Sequence, residues 1–118
     1  MLYIIHQWLH IILITEPLSP FDLQATDVLP TTATITWSTP PPNRLTPWAI
    51  VFNYEIVLTE HGFGLPVITT NSSVESVTFA GLEEFDNYSL VVAAENKIGR
   101  GDFSITFNFS TPQAGKRN

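Results

Sequence analysis

A chain of 118 residues suits one domain, large enough to bury about two-thirds of the surface its unfolded form exposes. Hydrophobic residues at 44% against charged residues at 14% exclude a disordered chain, and a net charge of −6 with five Lys/Arg excludes the basic stripe that nucleic-acid binding needs. The absence of cysteine excludes a disulfide scaffold and a thiolate zinc site, and it leaves the compartment open.

Residues 1–15 are a near-continuous apolar run with His6, Gln7 and His10 embedded in it. The run is short for a membrane-spanning helix, which needs roughly 20 apolar residues. Its start is uncharged, and Leu13-Ile14-Thr15-Glu16-Pro17 lacks the small residues of a signal cleavage site. Residues 1–16 are therefore an apolar leader with three open readings: an atypical signal segment, a remnant of a larger chain, or an artefact of the assigned start. As a helix the run would set His6 and His10 four residues apart, a spacing that can hold a metal. No third ligand is nearby, so two incidental histidines is the reading adopted.

After Glu16-Pro17-Leu18-Ser19-Pro20 the pattern changes to short strands separated by turn residues. Over residues 21–26, Phe21, Leu23 and Ala25 share a face. Over residues 32–37, Ala33, Ile35 and Trp37 alternate with Thr32, Thr34 and Thr36, the period of a half-buried antiparallel strand. Pro40-Pro41-Pro42-Asn43 stops it. Phe52, Tyr54, Ile56 and Leu58 form the next apolar face. His61-Gly62-Phe63-Gly64 turns the chain into a short edge strand over residues 65–70, blunted by Pro66. Val77 and Phe79 lead to Gly81-Leu82, and Tyr88, Leu90, Val92 and Ala94 make a further inner face. Phe103, Ile105, Phe107 and Phe109 are expected to form the last one. Seven short strands with turns at this spacing predict an all-β, seven-stranded antiparallel β-sandwich of immunoglobulin-like type.

The ordered set of these residues resembles a fibronectin type III domain. It comprises a Pro-rich lead into Leu23, Trp37 followed by Pro40-Pro41, and Tyr54-Glu55-Ile56. Next come Leu82 six residues before Tyr88, and then Ala94, Asn96, Gly99, Gly101, Ser104 and Thr111. The resemblance covers residues 17–112 and leaves 113–118 as a polar tail. It implies that Trp37, Tyr54, Leu82 and Tyr88 are structural core, with the Tyr88 hydroxyl bonded back to the backbone near Leu82. Two features depart from the family pattern: Asp86-Asn87 before the corner tyrosine, and a long connection over residues 43–51.

No catalytic constellation emerges, and the expectation is a protein that is not an enzyme and takes no cofactor. His61 is isolated in the sequence, and Glu83-Glu84-Phe85-Asp86 lacks the ligand spacing of a calcium loop. Arg100-Gly101-Asp102 is the sharpest binding candidate. The resemblance places it between the last two strands, where fibronectin's cell-binding module carries the same tripeptide, and so implies integrin contact. The family's Gly-x-Gly pattern already accounts for much of it. The sandwich topology sets Arg44, Leu45 and Trp48 at the same end as Arg100 and Asp102. Trp48 is either an exposed anchor or a residue folded over the sandwich end, and the second is favoured.

Three Asn-x-Ser sequons, at Asn71, Asn87 and Asn108, exceed the roughly one that seven asparagines give by chance. Asn71 and Asn87 are expected in turns, and Asn108 on the outer face of a strand. A glycan on Asn71 would shield the Arg-Gly-Asp. The resemblance implies a non-catalytic, extracellular or cell-surface binding or spacer module, a glycoprotein of the adhesion, matrix or receptor type, with neighbouring domains in a parent protein. Expected partners are a protein such as an integrin, no nucleic acid, and a membrane only through a signal segment or parent chain. The alternatives are an intracellular structural module of the muscle-filament kind and an accessory domain of a larger enzyme.

Overall fold

The alternating segments pair as two antiparallel sheets packed face to face. The computed structural model describes the backbone of residues 2–7, 10–42, 47–61 and 66–115, and the side chains of residues 14–42, 47–61 and 68–115. In chain order the strands are β1 (Leu2–Gln7), β2 (His10–Thr15), β3 (Phe21–Val28), β4 (Ala33–Ser38) and β5 (Asn53–Glu60). They continue with β6 (Pro66–Ser72), β7 (Ser76–Phe79), β8 (Asn87–Glu95) and β9 (Phe107–Ser110). One sheet has the order β3-β4-β7 and the other β6-β5-β8-β9, which together give the expected seven-stranded sandwich.

Period-2 alternation places the core. Ala33, Ile35 and Trp37 of β4 face Tyr54, Ile56 and Leu58 of β5 and Leu90, Val92 and Ala94 of β8, with Phe79, Leu82, Tyr88 and Phe109 closing the same cluster. Trp37 meets Tyr54 edge to face at 5.4 Å between ring centroids. The Tyr54 hydroxyl and the Thr39 hydroxyl are 2.5 Å apart. Burial pushes the Tyr54 phenol upward in pKa, against the opposing effect of that hydrogen bond.

Tyr88 closes the corner before β8. The Glu83 N–H donates to its hydroxyl at 2.8 Å, and its ring stacks on Phe109 at 5.5 Å. Thr111 completes the same end. Its Oγ1 accepts from the Asp86 N–H and donates to the Glu83 carbonyl, tying the last strand's exit to the corner.

The leader forms a hairpin, in which β1 and β2 pair with Gln7 opposite His10 and His6 opposite Ile11, so the helical spacing considered for the two histidines does not arise. An apolar run without polar periodicity fits either state, and here cross-strand pairing takes it. Three expectations are corrected. The last strand does not begin at Phe103. Ala94 accepts from the Gly101 N–H while Leu90 pairs with Phe107, so four steps along β8 are matched by six along the returning chain. Each surplus residue acts as a bulge: the first turns Ser104 inward and Ile105 outward, and the second restores the expected faces at Phe107 and Phe109. Ser104 is buried, bonded both ways to Val92, and Ile105 is 90% exposed.

Phe52 also leaves the inner face and is exposed, since β5 begins only at Asn53. Finally, Asn71 lies within β6 and Asn87 is the first residue of β8, so neither sits in a turn.

Candidate functional site

Three connections meet at the end of the sandwich where β4 and β8 finish: the one whose described residues are 39–42 and 47–52, residues 73–75, and the turn at 96–99. Asn96 joins the first of these to the last. It is buried, and its Nδ2 donates to the carbonyl of Thr15 at 2.8 Å and to that of Ala49 at 3.5 Å. Its Oδ1 accepts the N–H groups of Ile98 and Gly99, so one amide side chain caps the turn and ties it to the leader and the long connection. The Lys97 N–H donates to the Trp48 carbonyl at 3.3 Å. Ile14, Ala49 and Ile98 form a small apolar cluster beneath these bonds.

The 47–52 segment presents two sides. Ala49 and Val51 line a hollow with Ile14, Pro17, Leu18, Asn96 and the prolines Pro40–Pro42. Ile50 and Phe52 line a separate cleft with Pro47 and Lys97. Trp48 is 50% exposed, and Ile50 and Phe52 are exposed to a similar degree. This corrects the expectation that Trp48 folds over the sandwich end. Ala49 is instead the buried residue of this segment, packed with Ile14 and Ile98, and its carbonyl accepts from Asn96. Arg44 and Leu45 lie outside the described residues, as do His61's following turn residues 62–65 and the cations of the tail.

The Arg-Gly-Asp tripeptide sits on the returning chain rather than at the loop tip. Arg100 pairs with Glu95 as an isolated bridge, its guanidinium lies 3.4 Å from the Glu55 carboxylate, and it stacks 4.3 Å over the Phe103 ring. Gly101 is buried with its N–H bonded to Ala94, and Asp102 is exposed. The structure thus places Arg100, Gly101 and Trp48 at one end, with Arg100 directed onto the outer face of the four-stranded sheet.

A polar row crosses that same outer face. Asn53 Nδ2 donates to Asn71 Oδ1 at 3.3 Å and to Glu95 at 3.0 Å, beside the Arg100–Glu55 pair. Asn71, Asn87 and Asn108 are all exposed. The Asn87 Oδ1 accepts from the Ser110 hydroxyl at 2.5 Å, across the β8–β9 register.

The opposite end is acidic. Glu60 and Asp86 share a hydrogen bond that raises the Glu60 pKa and lowers that of Asp86, with Glu83 adding repulsion on Glu60. His61, isolated in the sequence, bonds through Nε2 to the Ser89 hydroxyl on the neighbouring strand. Phe85 stands at the tip of this end, 79% exposed and in a left-handed backbone conformation at φ 54°. Among the described residues no group of three or more metal-ligating side chains converges, and no helix is long and apolar enough to cross a membrane.

Sequence reading missed Asn96 as the organiser of its end and Phe85 as the tip of the other. The Asn-x-x-Gly spacing was the available signal for the first, since Asn commonly caps its own turn. Nothing in the sequence marks the second.

A two-sheet antiparallel sandwich with a tyrosine corner and no disulfide defines an immunoglobulin-like module. The fibronectin type III domain model matches residues 18–110, and the chain belongs to that family. Solved structures agree. A structure described as a myokine is 20% identical with a TM-score of 0.70, covering 82% of this chain and 99% of that one. The twitchin kinase region from C. elegans is 22% identical at a TM-score of 0.74, covering 88% of this chain and 18% of that one. The FN5 domain of Drosophila Lar is 26% identical at a TM-score of 0.60, covering 83% and 99%. No curated protein sequence matches the chain.

Proposed function

We propose that this fibronectin type III domain is a non-catalytic protein-binding module of an extracellular or cell-surface protein, and that it docks its partner through the end formed by residues 47–52 and Lys97. The observation that carries this reading is the exposure of Trp48, Ile50 and Phe52 on one connection, with Ile50 and Phe52 lining a shared cleft. Apolar groups presented together, with an aromatic anchor among them, are what protein interfaces use. A spacer role needs no such surface. A photo-crosslinking phenylalanine analogue in place of Trp48 should join the domain to a discrete partner on producing cells, and Ile50→Asp should abolish that product. The same analogue in place of Thr34, on the outer face of the other sheet, should give none. Equal crosslinking from both positions overturns the reading.

Extracellular placement is supported by the exposure of all three sequon asparagines. Expression in a glycosylating host should give a product that loses mass on N-glycanase treatment, and no mass change counts against it. Integrin contact through Arg100-Gly101-Asp102 is the weaker part of the reading, because Arg100 is already engaged by Glu55 and Phe103 and Gly101 is buried. Adhesion of integrin-bearing cells to the purified domain should therefore be weak and unchanged by Asp102→Glu. Strong adhesion lost in that variant would restore the integrin reading.

A further inference from the structure

The two ends of the sandwich are complementary to each other. At one, the cleft lined by Pro47, Ile50, Phe52 and Lys97 is apolar with a cationic lip. At the other, Phe85 projects from the acidic corner formed by Glu83, Glu84, Asp86 and Glu60. We propose that the cleft receives the Phe85 corner of a second copy of this chain, so that copies associate head to tail. The inference rests on the reading of the cleft end as a docking surface, and names its occupant.

Two independent features of Phe85 favour this. It is a large aromatic at 79% exposure, and its backbone is held at φ 54°, a conformation that a bulky residue seldom adopts. The Phe85 N–H bond to the Pro112 carbonyl, at 3.2 Å, fixes it there. Strain of this kind at an exposed aromatic persists where the surrounding structure imposes it and is concentrated at functional positions. Charge selects the occupant. Lys97 stands exposed at the lip of the cleft, where it would meet the Glu83, Glu84 and Asp86 carboxylates that flank Phe85, while Arg100 at the same end is already paired with Glu55. Ile14 and Leu18, where the chain enters the sandwich, lie on the Ala49–Val51 side of the segment. The contact joins different patches on the two copies, so each pair leaves one free cleft and one free corner, and association is open-ended.

Sedimentation velocity on the full chain tests this, between about 10 μM and about 1 mM, a range suited to a contact smaller than a standard interface. The weight-average mass should rise with concentration at low salt and return to the monomer value in about 0.5 M NaCl, where screening shortens to a few ångströms. Phe85→Asn keeps a residue that tolerates the left-handed backbone, and Ile50→Asp charges the exposed cleft. Each variant alone should remain monomeric with an unchanged circular-dichroism spectrum. An equimolar mixture should form dimers and nothing larger, because one intact cleft meets one intact corner. A wild type that stays monomeric throughout, or a Phe85→Asn variant that assembles like wild type, overturns the proposal. A monomeric wild type that still gives the Trp48-position crosslink to another protein removes this occupant and leaves the docking surface standing.

Discussion

A Cβ added to Gly101 would stand 2.0 Å from the carbonyl oxygen of Pro17, so the glycine of the Arg-Gly-Asp is pressed against the chain that leads into the sandwich. Contacts that short do not occur between real atoms, and both partners are backbone held in place. Pro17 has a rigid ring, and the Gly101 N–H is bonded to the Ala94 carbonyl at 2.8 Å. Gly101→Ala should therefore destabilise the domain by about 2–3 kcal/mol through overpacking, a fall of roughly 10 °C or more in Tm. Arg100→Ala removes only a partly exposed pair and should cost less than about 1 kcal/mol. Thermal unfolding of both variants checks the contrast. A Gly101→Ala variant as stable as wild type would show that the leading segment can move aside.

The Asn96 side chain can be divided by substitution. Asn96→Asp keeps the oxygen that accepts from Ile98 and Gly99, and it sets a second carboxyl oxygen against the Thr15 and Ala49 carbonyls. The loss should be about 1–3 kcal/mol at neutral pH, the cost of a buried group facing acceptors. It should shrink in acid, because the introduced carboxyl, once protonated, can donate where Nδ2 did. Its pKa in the fold is raised, so the protonated form's contribution is present below the unfolded value and lost as pH rises through the folded one. Denaturant unfolding at several pH values measures this, and a pH-independent loss would contradict it.

Tyr88→Phe should leave the stacking on Phe109 intact and strand the Glu83 N–H that now donates to the hydroxyl. That bond is only partly buried, so its loss should cost about 1 kcal/mol, visible as a lower denaturant midpoint with an unchanged slope. Amide exchange at Glu83 should accelerate more than at Val92, whose N–H bonds to Ser104 are untouched. If both amides speed up equally, the hydroxyl supports the whole sandwich rather than its corner.

What was legible in the sequence is what strict alternation encodes. Ile35, Trp37, Tyr54, Ile56, Leu58, Tyr88, Leu90 and Val92 face inward because side chains on a strand change face at every residue. The last strand departs from it because one surplus residue between Gly101 and Ser104 inverts that parity and a second before Phe107 restores it, and the bulges follow from bonds made by Ser104 and Gly101 to another strand. Trp48 was misplaced for a similar reason. Whether a loop tryptophan is covered depends on where Asn96 holds the neighbouring Ala49, and the two are 47 residues apart. The leader's apolar run carries no period, so only its pairing reveals the hairpin. The complementarity of the two ends has no local signature, since it depends on which turns the fold brings to each pole.

The acidic end gives a prediction whose sign is set by two opposed titrations. The hydrogen bond with Asp86 raises the Glu60 pKa, and burial and the charges of Asp86 and Glu83 push it further up. Its contribution to stability is therefore complete below the unfolded-chain value and is lost as pH rises through the raised folded value. Asp86 is lowered by the same bond and by the Asn87 N–H, so its contribution is present above its unfolded value and disappears as pH falls through the lowered one. At neutral pH Glu60 is the member held at a disadvantage. Glu60→Gln replaces its carboxylate with a neutral group that can always donate to Asp86, and should raise Tm at pH 7. The gain should narrow as pH falls toward the ordinary carboxylate range, where Glu60 supplies its own proton. Thermal unfolding of both proteins across that range is the measurement, and a Glu60→Gln variant no more stable than wild type at pH 7 would mean that solvent already screens the repulsion.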